Sequence, residues 1–166
     1  ADLDLAVKEC VSGALSFNGQ RCTAIKLIFA HADIADEFTA RLAAAVDALS
    51  AGMPWDKVAL TPLPEPGKPA HLRALVDDAL AHGARVIGGG GGSHGTFFRP
   101  AVVYPVAPAA RLYQEEQFGP VVPVTTFREL GEIDQFMRTS PYGQQVALLG
   151  RDPRLLAELV DALVNS

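Results

Sequence analysis

At 166 residues with a formal charge of −5, 49% hydrophobic and 20% charged, the chain has the balance of one globular domain large enough to bury a core. No Lys/Arg cluster interrupts the negative charge, which argues against a nucleic-acid-binding surface and against electrostatic membrane docking. No apolar run approaches the roughly 20 residues that span a bilayer, and the opening ADLDLAVKEC lacks the basic-then-apolar pattern of a secretory signal.

The chain opens on Ala1 without a Met, so its start reads as a cut. Leu3, Val7, Cys10, Val11 and Ala14 recur at helical spacing, and Asp2 and Asp4 place negative charge where a helix dipole favours it. That helix is expected to end near Phe17-Asn18-Gly19, with Cys22 to Ala30 following as a strand. A second helix is expected from about Ile34 to Leu49, with Phe38, Leu42, Ala45 and Leu49 on one face. The prolines of TPLPEPGKP make Thr61 to Pro69 a loop. A third helix follows, with Leu72, Leu75, Val76, Ala79 and Leu80 on its apolar side and Gly83 just past its end.

Ala84 to Ile87 reads as a short strand running into the five glycines Gly88 to Gly92. Phe97 to Val106 is extended, interrupted by Pro100, and Pro120 to Phe127 is another strand. Ile133, Phe136 and Met137 mark a helix, and Val146 to Leu149 a buried strand. Asp152 as N-cap and Pro153 in the first turn open a last helix through Leu163. Alternating strands and helices of this length predict an α/β fold, a largely parallel sheet flanked by helices, in a single domain.

Two cysteines, Cys10 and Cys22, show neither a CxxC pair nor zinc spacing, and the four histidines are scattered, so no metal is assigned. A reducing cytoplasm suits free thiols. In Phe17-Asn18-Gly19-Gln20-Arg21-Cys22-Thr23-Ala24 the thiol follows a glycine turn and precedes a strand, a placement that presents it at a corner. Arg21 beside it favours the thiolate, the nucleophilic form. The same residues also suit a packed structural cysteine beside a turn. Glu115-Glu116-Gln117-Phe118-Gly119-Pro120-Val121, taken alone, suits a solvated acidic turn before a strand. The glycine run lacks both G-x-G-x-x-G and a following Lys-Ser/Thr, so it reads as a flexible surface loop and not a phosphate cradle.

Together the two segments resemble a known family. Gly19-Gln20-Arg21-Cys22 looks like the Gly-Gln-x-Cys signature of the aldehyde dehydrogenase superfamily, and Glu115 to Val121 looks like its Glu-Glu-x-Phe-Gly-Pro-Val motif. The helix before Cys22, the Pro-rich loop with its following helix and Gly83-Ala84-Arg85-Val86, and Ser140-Pro141-Tyr142-Gly143 extend the likeness over essentially the whole chain. Gln144, where the family usually has leucine, and the five-glycine loop depart from it. Phe17, Arg21 and Cys22-Thr23-Ala24-Ile25-Lys26 are most similar to the non-phosphorylating NADP-dependent glyceraldehyde-3-phosphate dehydrogenases, in which an arginine directly before the nucleophile helps bind substrate phosphate. Arg21 can equally serve to structure the loop.

The resemblance implies a fold of the aldehyde dehydrogenase catalytic-domain type. It implies Cys22 as nucleophile, Arg21 and Thr23 on the substrate side, and Glu116 and Phe118 as contacts of the nicotinamide ribose and ring of NAD or NADP. The activity implied is oxidation of an aldehyde, glyceraldehyde 3-phosphate among the possibilities, through a thiohemiacetal and a thioester. The family's nucleotide-binding domain, general-base glutamate and oxyanion asparagine would precede Ala1. The chain is therefore expected to be inactive alone, to pair with that domain of its own subunit, and to form a homo-oligomer when complete. A CoA-acylating semialdehyde dehydrogenase and a non-catalytic structural fragment are the two alternatives.

Overall fold

The computed structural model describes residues 2–143 and 145–163. Helix α1, Leu3–Leu15, is capped by Asp2, whose carboxylate accepts from the Asp4 and Leu5 amides. A tight turn, Ser16–Gly19, follows, then β1 (Ile28–His31) and α2 (Ala35–Asp47). Next come α3 (Lys68–Ala81), β2 (Arg85–Gly88), a small ribbon of β3 (Ser93–His94) and β4 (Phe97–Phe98), and β5 (Ala101–Tyr104). The remaining elements are α4 (Arg111–Gln114), β6 (Val121–Phe127), α5 (Leu130–Thr139) and α6 (Pro153–Leu163).

The main sheet runs β1-β6-β5-β2. β6 pairs parallel with both β1 and β5, and β2 closes the edge antiparallel to β5. The sheet is thus mixed and mostly parallel, as the alternation of elements predicted. Its two central strands are apolar on both faces because both faces are covered. Val102, Val122 and Val124 point to one side and pack with Val7, Cys10 and Ala14 of α1 and Phe38, Leu42 and Val46 of α2. Ala101, Val103 and Val121 point to the other and pack with Leu72, Leu75, Val76 and Ala79 of α3 and Leu112 of α4. The period-2 alternation of β5 and β6 therefore builds two cores back to back.

Several expected elements differ. Strand β1 starts only at Ile28; residues Cys22 to Leu27 are irregular, because Cys22 sits in a bend and the Ile25 amide donates back to Gly13 O of α1. Val146 to Leu149 forms no strand, and both Val146 and Leu149 are exposed. An apolar run becomes a buried strand only beside a sheet edge, and none of the described strands reaches it. Leu80, expected on the apolar side of α3, is also exposed.

The glycine run is not a flexible surface loop but a packed one. The Gly89 amide donates to Asp47 Oδ1, Gly91 N to Pro100 O, and Arg99 N to Gly92 O. A Cβ at Gly89 would lie 2.0 Å from Pro100 O, and one at Gly88 2.7 Å from Ala43 Cα. Gly83 takes φ +91° directly after the α3 cap His82, as its position after the helix predicted. Gln144, the expected departure from the family pattern, lies outside the described residues.

Candidate active site

The geometry around Cys22 begins with the end of α1. Phe17 and Asn18 both adopt left-handed backbone (φ 53° and 58°), which reverses the chain within two residues. Asparagine tolerates this conformation better than most residues. Asn18 is also locked: its Nδ2 donates to Thr61 Oγ1 at 2.9 Å and its Oδ1 accepts from the Thr61 amide at 3.0 Å. Gly19 continues the reversal at φ +67°. Beyond it Cys22 lies exposed, and its backbone amide has no acceptor among the described residues. The Arg21 guanidinium stacks 5.7 Å above the exposed Phe17 ring, and Arg21 Nε has no hydrogen-bond partner among the described residues.

The second motif forms the loop between α4 and β6. Its chain alternates: Glu116 and Phe118 are exposed or half-buried, while Gln117 between them is buried. The Glu116 carboxylate makes no hydrogen bond or ion pair among the described residues, although its amide donates to the Tyr142 hydroxyl. Phe118 has φ 43°, and Lys68 Nζ sits 5.6 Å from its ring centre.

These two segments, about a hundred residues apart in sequence, are in backbone contact. A Cβ at Gly19 would lie 2.6 Å from Ala14 O and 2.7 Å from Gly119 O, and one at Gly119 would collide with Leu72 Cδ1 at 2.7 Å. Gly19 is thus what lets the two loops touch, and Gly119 is what lets the second loop sit against Leu72 of α3. Where they meet, Gly19, Arg21 and Lys26 from the first line a shallow cleft with Glu116, Gln117 and Phe118 from the second. A larger recess, lined by Phe29, His82, Tyr113, Thr125 and Glu132 among others, shares no residue with it.

Two titratable groups, Cys10 in the core under α1 and Lys26 in the cleft lining, are shifted by burial. Burial, reinforced by Glu9, raises the Cys10 thiol to about 11, which keeps it protonated at neutral pH. Burial lowers the Lys26 ammonium to about 8, against the opposing pull of Glu116 and Glu115. The two thiols are therefore unlike: one is buried against the sheet, and the other is open to solvent beside an arginine.

Comparison with known proteins agrees with this arrangement. The family described as "Aldehyde dehydrogenase family" matches residues 1–164. The chain belongs to the aldehyde dehydrogenase family. It is 33% identical over 163 residues to an NADP-dependent glyceraldehyde-3-phosphate dehydrogenase of Streptococcus equinus, covering 98% of this chain and 34% of that one. It is 37% identical over 153 residues to a vanillin dehydrogenase of Pseudomonas fluorescens, covering 92% of this chain and 32% of the other. Its structure is similar to that of the NADP-dependent glyceraldehyde-3-phosphate dehydrogenase of Bacillus halodurans C-125 complexed with NADP, with a TM-score of 0.94 and 35% identity. That similarity covers 98% of this chain and 34% of the other. The chain thus spans about a third of the length of these aldehyde dehydrogenases.

Of the residues singled out in the sequence of this aldehyde dehydrogenase chain, Arg21, Glu116 and Phe118 line one cleft, whereas Cys22 is exposed on the adjoining turn and does not line it. Thr23 is exposed on the same bend. Sequence reasoning missed Asn18, Thr61, Lys26 and Gln117. Asn18 carried a legible signal, an Asn-Gly pair in a turn. The Thr61 contact carried none, because it depends on a loop 43 residues away.

Proposed function

We propose that this chain is the nucleophile-bearing catalytic domain of an NAD(P)-dependent aldehyde dehydrogenase, a piece of a larger subunit, with Cys22 as the attacking thiol. The observation that carries this reading is the convergence of the two motifs on one shallow cleft lined by Arg21 and Glu116, with the exposed Cys22 the next residue along the chain from Arg21.

The residues suit the dinucleotide. An exposed carboxylate with no hydrogen bond or ion pair among the described residues can accept two hydrogen bonds from a vicinal ribose diol, and Phe118 next to it offers an aromatic face to a flat ring. Glu116 and Phe118 would hold NAD or NADP at its nicotinamide end. When bound, the dinucleotide supplies the hydride acceptor. The chain's own part is the thiol chemistry. The Cys22 thiolate adds to the aldehyde carbonyl, and the negative charge collects on the carbonyl oxygen. The Cys22 amide, which has no acceptor among the described residues, can donate to that oxygen. After oxidation of the adduct, water releases the acid from the Cys22 thioester. The general base for that step would come from the remainder of the subunit.

For the substrate, glyceraldehyde 3-phosphate is supported by Arg21. It directly precedes Cys22 in the chain, and its guanidinium lies over the exposed Phe17 ring. A phosphate presents the acceptor geometry a guanidinium fork matches.

The test is made on the full-length protein. Cys22→Ser should abolish aldehyde oxidation while dinucleotide binding persists; aldehyde oxidation by the serine variant at the wild-type rate would refute the reading. Arg21→Ala should lower kcat/KM for glyceraldehyde 3-phosphate roughly ten- to a hundredfold more than for an unphosphorylated aldehyde. An unchanged ratio between the two substrates would withdraw the phosphate assignment and leave the nucleophile in place.

A further inference from the structure

Two side chains, the half-buried Lys26 and the buried Gln117, bridge the motif loops. Lys26 Nζ reaches across to α4 and donates to Leu112 O at 2.7 Å and, more weakly, to Tyr113 O at 3.4 Å. In return, Gln117 Nε2 reaches back from the second loop and donates to Ile25 O and Lys26 O, both at 3.2 Å, and to Val121 O at 3.1 Å. We infer that Lys26 and Gln117 are positioning residues: as a reciprocal staple they fix the loop from Glu115 to Gly119 against the segment that carries Cys22. This rests on the reading of Cys22 as the reacting thiol and of Glu116 and Phe118 as the dinucleotide contacts.

Three features favour a staple over ordinary packing. First, α4 is only four residues long, so its carbonyls have no following helical turn to bond them. The Lys26 ammonium supplies those donors. Second, an ammonium is an expensive way to fill space. A methionine would occupy a similar volume with no charge to desolvate, so a half-buried lysine here is costly unless its hydrogen bonds are used. Third, Gln117 stands between Glu116 and Phe118, so anchoring its amide sets the direction of both neighbours. Two other polar ties of the loop, the exposed Arg111–Glu115 ion pair and the Glu116 amide donating to the Tyr142 hydroxyl, bind it elsewhere and not to the nucleophile segment.

The charged and titratable groups around the Lys26 ammonium are Glu116 and Glu115 on the loop, Arg21 on its own segment, and Tyr113 on α4, with Arg111 paired to Glu115. His71 of α3 acts on Glu115. Burial lowers the Lys26 pKa to about 8, whereas a released Lys26 returns towards 10.5, so the stapled arrangement gains on any opened one as pH rises above about 8, and a variant without the amine has no such dependence.

The experiment uses the full-length protein as wild type, Lys26→Met and Gln117→Leu. Amide hydrogen exchange is followed at residues 115–119, and the Kd for NADP or NAD is titrated from pH 6.5 to 9. Lys26→Met should speed exchange at 115–119 while α1 to α3 stay protected, and should weaken dinucleotide binding about tenfold. Wild-type affinity should rise relative to that of Lys26→Met as pH climbs above about 8, because the closed loop favours the neutral amine. Unchanged loop protection, or a pH profile shared by both proteins, would overturn the inference. If Lys26→Met does not fold, Gln117→Leu removes the opposite half of the staple and must loosen the same residues. A wild type that binds no dinucleotide would refute the proposed function instead, and hydrogen exchange would still decide the staple.

Discussion

The stretch from α1 to β6 and the stretch from α5 to α6 are both amphipathic in sequence, yet they end up in opposite conditions. In the first, α1, α2 and α3 each bury one face against the sheet, and Leu42, Leu72 and Leu75 are completely inaccessible. In the second, α5 buries no residue and α6 only Leu163. Phe136 of α5 does pack against Phe29 and Tyr113, with ring centres 5.1 and 5.2 Å apart, and the Tyr142 hydroxyl reaches the Glu116 amide. Leu155 and Val160 stay exposed. An apolar stripe specifies a face to bury, but burial itself requires a partner surface within reach.

Deleting matched leucines should expose this contrast most strongly. Leu42→Ala removes a fully buried side chain and should cost about 2–5 kcal/mol in urea unfolding. Leu155→Ala removes one that is 38% exposed and should cost less than about 0.5 kcal/mol. Equal losses would mean that the last helix shares the core.

Gly19→Ala should come next. It adds a methyl at φ +67°, closer than 3 Å to two carbonyl oxygens, and should destabilise by roughly 2–4 kcal/mol. Gly131→Ala in α5, where nothing lies within 4 Å, should be neutral or slightly stabilising. A harmless Gly19→Ala would show that the two motif loops are not in the contact described.

The smallest effect is on stability against pH. The Lys26 pKa falls from its ordinary 10.5 to about 8 in the fold, so between those values the unfolded chain binds more protons and this group makes stability rise with pH. Cys10 acts in the opposite sense. Its pKa is raised from 9.0 to about 11, so its contribution is intact below 9.0 and is lost as pH climbs through 11. The difference between wild type and Lys26→Met isolates the lysine: wild type should gain on the variant from about pH 8 upward. A difference that stays constant over pH 8 to 10.5 would contradict the burial of the ammonium.

The sequence was most readable where structure is local or where both partners lie in the chain. Asp2 and Asp152 cap their helices, Gly83 ends α3, and the valines of β5 and β6 alternate between the two cores. It misled where burial depends on a neighbour. Val146 to Leu149 has the composition of a core strand and no sheet edge beside it. The glycine run looked loose because its composition is that of a linker, whereas the close approach of Pro100 and Ala43 dictates glycine there. At the candidate site, the motifs pointed to Arg21, Cys22, Thr23, Glu116 and Phe118, of which Arg21, Glu116 and Phe118 line one cleft. The groups that join the motifs were invisible, since Lys26 to Leu112 and Gln117 to Ile25 are contacts across 86 and 92 residues.

The central claim is that Cys22, and not Cys10, is the thiol built to react. Native protein treated briefly with iodoacetamide at neutral pH, then digested and mapped by mass spectrometry, compares the two directly. Cys22 is exposed at a corner, and Cys10 is buried with its pKa raised to about 11. The account predicts that Cys22 is carbamidomethylated first, with Cys10 modified only after unfolding; labelling of Cys10 as fast as Cys22 or faster would contradict it.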